Sequence, residues 1–248
     1  VRIKNTNKAL SISTDCNGRY VYINPRQGGM MAVAEAARNV VCSGGKPLAI
    51  TNCLNFGNPQ DPEIYWQFKE AVLGIGDMCR VLNTPVTGGN VSFYNETLES
   101  AVYPTPTIGM VGLLENVQNV TSMSLKNEND IIVMLGSLNS SIGGSTFLSS
   151  IENKVAGPLA TFDMDEEYRV QQICYEAIKN HLINSAHDLS DGGLSVCLAE
   201  MILSSKDKIG AEINLESNLS NVEMMFGECA SVIIVTLNQS KLFDLILL

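Results

Sequence analysis

The sequence predicts an α+β protein in two domains, and three observations carry that prediction. Apolar residues alternate between short runs of strand length and longer runs at helical spacing. The first half reads in the order strand, helix, strand, helix, strand, strand. From Glu115 to Asp130 apolar density falls while Asn and Ser accumulate, which marks a junction between domains. The boundary is placed at residue 122, giving domains 1–122 and 123–248. A chain of 248 residues, 45% of them hydrophobic, can bury one sizeable core or two smaller ones.

In the first domain, Leu10–Ser13 and Tyr20–Ile23 read as short strands joined by Asp15-Cys16-Asn17-Gly18, whose Asn-Gly pair is a hairpin signal. After Gly28-Gly29, Met30, Val33, Ala34, Ala37, Val40 and Val41 recur at helical spacing until Gly44-Gly45 ends the run. Pro47–Cys53 reads as a buried strand followed by the loop Asn55–Pro59. A second helix enters at Asp61-Pro62, with Asp as N-cap and Pro in the first turn, and keeps Ile64, Phe68, Ala71, Val72, Ile75, Cys79 and Leu82 on one face. Thr84–Val91 reads as strand and turn broken at Gly88-Gly89, and Ile108–Leu114 as a strand.

The second domain opens with the strand Ile131–Leu135 and a turn at Gly143-Gly144-Ser145. A helix is expected over residues 165–181, then a strand at Asn184–His187, the turn Asp188–Gly193 and a helix carrying Leu194, Cys197, Leu198 and Met201. Ala230–Leu237 reads as a buried strand. Lys241–Leu248 reads as an amphipathic helix that reaches the last residue without a cap, so the chain is expected to be a piece of a longer protein. No repeat of 20 to 50 residues is visible.

Charge narrows the function. A net charge of −10, with only 17% charged residues and basic residues no denser than Lys206 and Lys208, repels a phosphate backbone, so no nucleic-acid partner is expected. The seven cysteines are odd in number, form no C-x-x-C pair and sit in apolar stretches, which reads as buried free thiols in a reducing, cytoplasmic setting. With two histidines, His181 and His187, a four-ligand zinc site lacks donors. No apolar run approaches the ~20 residues of a membrane span, so no membrane partner is expected.

Three glycine-bearing segments follow expected strands: Asn55–Pro59, Gly88-Gly89-Asn90 and Asp188–Gly193. Glycine lets backbone N–H groups come close to a phosphate, yet none of the three matches the Walker A or dinucleotide pattern, and any one of them reads first as a plain turn. In an extended segment Asn90, Ser92 and Tyr94 share a face. An amide oxygen there can ligate Mg²⁺ and a hydroxyl can donate to a phosphate. On residue types alone, that face reads equally as a ligand surface or as a solvated edge strand.

Four ordered segments are more specific: "GRYVYINPRQGGMMAVAEAARNVVCSGGKPLAITNCLNFGNP", "WQFKEAVLGIGDMCRVLNTPVTGGNVSFYNET", "YPTPTIGMVGLLENV" and "SAHDLSDGGLSVCLAEM". Together they resemble the third and fourth domains of the phosphoribosylformylglycinamidine synthases in their small bacterial form, from about Ala9 to Met201. The resemblance implies a PurM-like two-domain unit, the second of two tandem copies, whose N-terminal sheet pairs with its counterpart in the first copy. It implies an ATP-dependent ligase of purine biosynthesis. There the glycinamide carbonyl oxygen of formylglycinamide ribonucleotide takes a phosphoryl group from ATP, and ammonia made from glutamine displaces phosphate to leave the amidine.

By the same resemblance Gly89 contacts ATP through its backbone, Asn90 ligates Mg²⁺ and Ser92 binds the ribonucleotide. Asn52 stands where the family commonly has Asp at the nucleotide, which keeps an acceptor oxygen and loses the charge. The family's catalytic histidines and carboxylate metal ligands belong to the first half, so no catalytic residue is expected here and the chain alone is expected to be inactive. The implied partners are that N-terminal half, a glutaminase subunit and a small bridging subunit. An isolated copy is expected to form a homodimer through its first sheet. Arg38 and Asn39, on the expected polar side of the first helix, receive no role, Glu228 lies in a divergent run, and His187 is expected to orient its loop. The competing reading is a non-catalytic nucleotide-binding module of the same superfamily.

Overall fold

A computed structural model describes all 248 residues. The first sheet has the order β1-β4-β2-β3, from β1 (Ala9–Asp15), β2 (Lys46–Asn55), β3 (Val86–Ser92) and β4 (Thr105–Leu114). β1 and β2 flank β4 antiparallel, and β3 runs parallel to β2 at the edge. One face is covered by α2 (Pro25–Cys42) and α3 (Pro62–Leu82). Ile50, Leu54, Ile108 and Met110 meet Val33, Ala37, Val40, Ala71 and Met78 there in a buried core. β4 alternates strictly between half-buried and buried residues, as a strand with one covered face must.

The other face of this sheet is open. Pairing register puts Ile12 beside Val111 and Ala49 beside Val111 from the other side, and Ile12 is 61% exposed. Ile50, Ile108 and Met110, which lie in the strands expected to meet a partner copy, therefore face α2 and α3 instead. The period-2 alternation decides this, since adjacent residues of a strand point to opposite faces.

Two expectations fail at the start of the domain. Gly18–Ile23 is a helix, α1, and Asn17 is its N-cap: the Asn17 side chain accepts from the N–H groups of Arg19 and Tyr20. Asn before Gly serves a helix start as readily as a hairpin, and burial of Tyr20 and Val21 decides between them. α2 begins at Pro25, capped by Asn24, so Gly28 and Gly29 lie inside it. Their lack of a Cβ permits close packing: a Cβ at Gly28 would lie 2.5 Å from Val21 N, and one at Gly29 2.4 Å from Ala71 O. The entry of α3 is as expected, with Asp61 capping Glu63 N–H and Pro62 in the first turn.

The second sheet has the order β5-β7-β6, all antiparallel, from β5 (Ile131–Leu135), β6 (Ser185–Asp188) and β7 (Ile233–Leu237). On one side α5 (Met164–Lys179) packs with Val41 and Cys42 of α2, and on the other α6 (Gly193–Leu203) covers Val232 and Ile234. Two short helices escaped the sequence reading: α4 (Thr146–Glu152), capped by Ser145, and α7 (Asn221–Phe226), opened by a Ser220–Glu223 capping box. The last helix, α8, covers Leu242–Ile246. Six of the cysteines are buried or half-buried, but Cys53 is exposed on the open face of β2, contrary to the expectation that all are buried. No helix is long and apolar enough to cross a membrane.

Candidate functional site

Gly88-Gly89 does not break β3. Thr51 pairs with Gly88, Asn52 with Gly89, Cys53 with Asn90 and Asn55 with Ser92. Residues paired across a sheet share a face, so the four expected site residues divide into two pairs. Asn52 and Gly89 point to the helix-covered side, where a Cβ on Gly89 would meet Asn52 Oδ1 at 1.9 Å. Asn90 and Ser92 point to the open side, where Asn90 Nδ2 lies 3.9 Å from Cys53 Sγ. Tyr94 does not join them, because its φ of +60° ends the extended run.

Ser92 is held by a small knot of bonds. Its hydroxyl donates to Asn95 Oδ1 at 3.2 Å, while Asn95 Nδ2 donates to the carbonyls of Ser92 and Phe56. Phe56 N–H donates to Ser92 O. Within a strand the N–H and C=O of one residue point the same way, so Ser92 and Asn90 turn their backbone groups toward β2. Gly89 and Val91 therefore turn theirs off the sheet edge. Gly89 presents an unpaired N–H with no side chain in front of it, and a ligand lying along this edge can reach groups on both faces.

Metal chemistry is thin. No group of three or more His, Cys, Asp or Glu side chains comes together to hold an ion. Asn90 supplies one neutral oxygen, and its neighbour Cys53 is a soft donor that does not suit magnesium, which is usually held by one or two carboxylates and by phosphates. These residues fit one ligand of a shared magnesium site and do not fit a complete one.

A second constellation joins the two halves, and the sequence reading missed it. Arg38 is 2% exposed, not on a polar face. Its Nη1 donates to both oxygens of Glu167 of α5 at 2.9 and 3.0 Å, and its Nε lies 3.9 Å from Asp188 Oδ2. Burial alone would lower the pKa of Arg38, but Glu167, Asp188 and Glu35 outweigh it and hold the guanidinium charged. Glu167 also accepts from Gln171 Nε2 and Ser231 Oγ. Around this pair, burial followed by Asp188 pushes Asp15 up to about 6. Burial, opposed by Arg38 and reinforced by Asp188, Asp15 and Asp191, pushes Glu35 up to about 8.

Glu228 forms the other half of the seam. It is 2% exposed and accepts from Tyr20 Oη–H at 2.5 Å, Thr146 N–H at 2.7 Å and Gly192 N–H at 2.7 Å. One carboxylate thus ties α1, the start of α4 and the turn Asp188–Gly193. Arg19 adds bonds to Gly144 O and Thr146 Oγ1, and Asn17 bonds Asp191. His187 bridges Glu200 at 2.9 Å and Asp188 at 3.4 Å; burial opposes its charge, and the two carboxylates outweigh that to raise its pKa. A cavity of about 620 Å³ between β5, β7, α6 and residues 209–215 includes none of the four expected site residues.

Residues 1–114 match the model of the AIR synthase related protein N-terminal domain, and residues 127–246 that of its C-terminal domain. The chain belongs to the AIR synthase related family. It is 46% identical over 250 residues to phosphoribosylformylglycinamidine synthase subunit PurL of Chlorobaculum tepidum, covering 97% of this chain and 33% of the relative. To PurL of Salinibacter ruber it is 49% identical over 241 residues, covering 95% and 32%. The chain therefore spans about a third of the length of these curated relatives. Among solved structures, T. maritima PurL complexed with FGAR superposes with a TM-score of 0.76 at 16% identity, over 96% of this chain and 39% of that one. AaThiL complexed with AMPPCP and TMP gives 0.63 at 18% identity, over 97% and 78%. These likenesses show the PurM-like fold.

Proposed function

We propose that this chain is the C-terminal half of the ATP-dependent ligase that converts formylglycinamide ribonucleotide and ammonia from glutamine into formylglycinamidine ribonucleotide. The observation that carries this reading is the identity of nearly half of all positions with PurL relatives over almost the whole chain. Gly89 would bind ATP through its outward N–H, with Asn52 beside it. Asn90 would give one oxygen to Mg²⁺, and Ser92 a hydroxyl to the ribonucleotide. The ion supplies charge neutralisation between phosphates, and this chain's residues hold and orient the two anionic substrates around it.

In this reading the domain boundary lies at residue 122, and the open face of the first sheet meets its counterpart in the N-terminal half. The glutaminase subunit supplies ammonia in the cytoplasm, and the small subunit bridges the complex. Exposed Ile12 and the neighbouring Val111 support a paired face, which in the isolated chain would be covered by a second copy. The purified chain should then sediment as a dimer, and a strict monomer at high concentration and moderate salt would remove that part.

The function is tested by adding the N-terminal half of a PurL relative in trans. The chain alone should turn over no substrate with ATP and ammonia, and the mixture should. Turnover by the chain alone, or none from a mixture that associates, counts against the proposal. A second reading, a non-catalytic nucleotide module, is favoured by Asn52 standing where the family commonly has Asp; Asn52→Asp in the mixture should leave nucleotide binding intact in either case and raise turnover only for the ligase.

A further inference from the structure

A cavity of about 460 Å³ lies where the first sheet ends, between the first turns of α3 and the segment Ser100–Pro104. Its polar anchor is Gln67 of α3. That side chain lines the cavity and is 4% exposed, and its amide has no hydrogen-bond partner in the protein. The amide is not among the side-chain groups sealed from solvent without a partner, so the cavity leaves it accessible to an entering group. Here the carboxamide offers one donor and one acceptor side by side to whatever enters.

The walls select the shape of the occupant. Tyr22 and Tyr103 pack edge to face with ring centroids 5.0 Å apart, and both stay about half exposed, leaving ring surface free. Ile64, Val102 and Pro104 supply apolar surface, and Ser100 a hydroxyl. Asp61 and Glu63 line the same cavity, and no lysine, arginine or histidine does. The N-terminus of α3 is already capped by the Asp61 carboxylate, which accepts from Glu63 N–H at 2.8 Å. An anion entering here meets two carboxylates and no cation.

We propose that this cavity binds a nucleobase as an uncharged nucleoside, with the base edge on the Gln67 amide and its face on Tyr103. A glutamine amide matches the adjacent donor and acceptor of adenine, and aromatic side chains stack on bases irrespective of sequence. The site is separate from Gly89 and Asn90 on β3, neither of which lines the cavity.

The test is titration of the intact chain with adenosine, followed by ligand-observed NMR and calorimetry. Saturable binding is expected, weakened about tenfold or more in Gln67→Met, which keeps the volume and removes the donor and acceptor. Tyr103→Ala, at a half-exposed position, should also weaken binding and decides the matter if the Gln67 variant fails to fold. Adenosine 5′-monophosphate should bind more weakly than adenosine because of Asp61 and Glu63. Absence of saturable adenosine binding, binding unchanged in both variants, or equal binding of the monophosphate would overturn the proposal.

Discussion

The edge strand β3 and the seam between α2 and α5 are built on opposite principles. Every residue of Val86–Gly89 in β3 is exposed, the glycines carry no side chain, and the polar groups make few bonds. At the seam, Arg38, Glu167, Asp188 and Glu228 are almost wholly buried and crosslink the two sheets' layers. A strand left open at its edge keeps N–H groups free for a ligand and adds little to stability. A buried charge network does the reverse, since removing one member strands the others in a low-dielectric interior. On the proposed reading function and cohesion fall to different residue sets, and substitutions should separate them.

The largest effect is expected at Arg38. Arg38→Met leaves Glu167 with only Gln171 and Ser231 as donors and Asp188 with no nearby guanidinium, at a cost of about 3–5 kcal/mol. Urea unfolding should show the midpoint fall accordingly. A loss below ~1 kcal/mol would mean that the seam does not hold the halves together.

The next effect sharpens the same contrast through pH. Asp15 and Glu35 titrate near 6 and 8 in the folded chain, above their ordinary values of 3.8 and 4.5. The folded state then binds protons that the unfolded chain has released, so stability is fully present below about pH 4 as far as these groups go and is lost as pH rises through 6 and 8. Glu35→Gln should flatten the upper part of that loss and raise Tm near pH 8.5 by about 2–4 °C for each kcal/mol relieved. A Tm profile between pH 5 and 8.5 that Glu35→Gln leaves unchanged would exclude burial of this carboxyl as its cause.

How far the sequence could be read follows the same division. β3 and its candidates were legible because their signal is local: glycines, an amide and a hydroxyl in one extended stretch. α3 was legible because Asp61-Pro62 states its start within two residues. The seam was not, because Arg38 and Glu167 are 129 positions apart and no local pattern announces a buried ion pair between them. Glu228 looked like a departure from a family pattern when its task is to bind N–H groups of two turns and the Tyr20 hydroxyl. α2's true start was written in Asn24-Pro25, and α7's in the Ser220–Glu223 capping box; both are sequence signals that went unread behind the more conspicuous glycines. The Asn17-Gly18 misreading has a different origin, since that pair suits two structures and only the burial of Tyr20 and Val21 selects the helix.

The smallest effect is expected at Ser92, and it probes whether β3 is a binding edge at all. The Ser92 hydroxyl bonds only the neighbouring Asn95 side chain, and Asn95 keeps two carbonyl partners without it. Ser92→Ala should therefore leave unfolding free energy within about 0.5 kcal/mol of the parent, as surface substitutions usually do. In the recombined ligase, however, losing one hydroxyl donor to a ribonucleotide phosphate should cost about 1–2 kcal/mol of substrate binding, a rise in KM of roughly five- to thirtyfold. The KM for ATP should stay where it was, because Ser92 lies on the open face while Gly89 and Asn52 lie on the other. Substrate KM unchanged alongside intact folding would leave Ser92 as a solvated edge residue, and a rise in the ATP KM alone would mean that the two faces of β3 serve the opposite ligands from those assigned here.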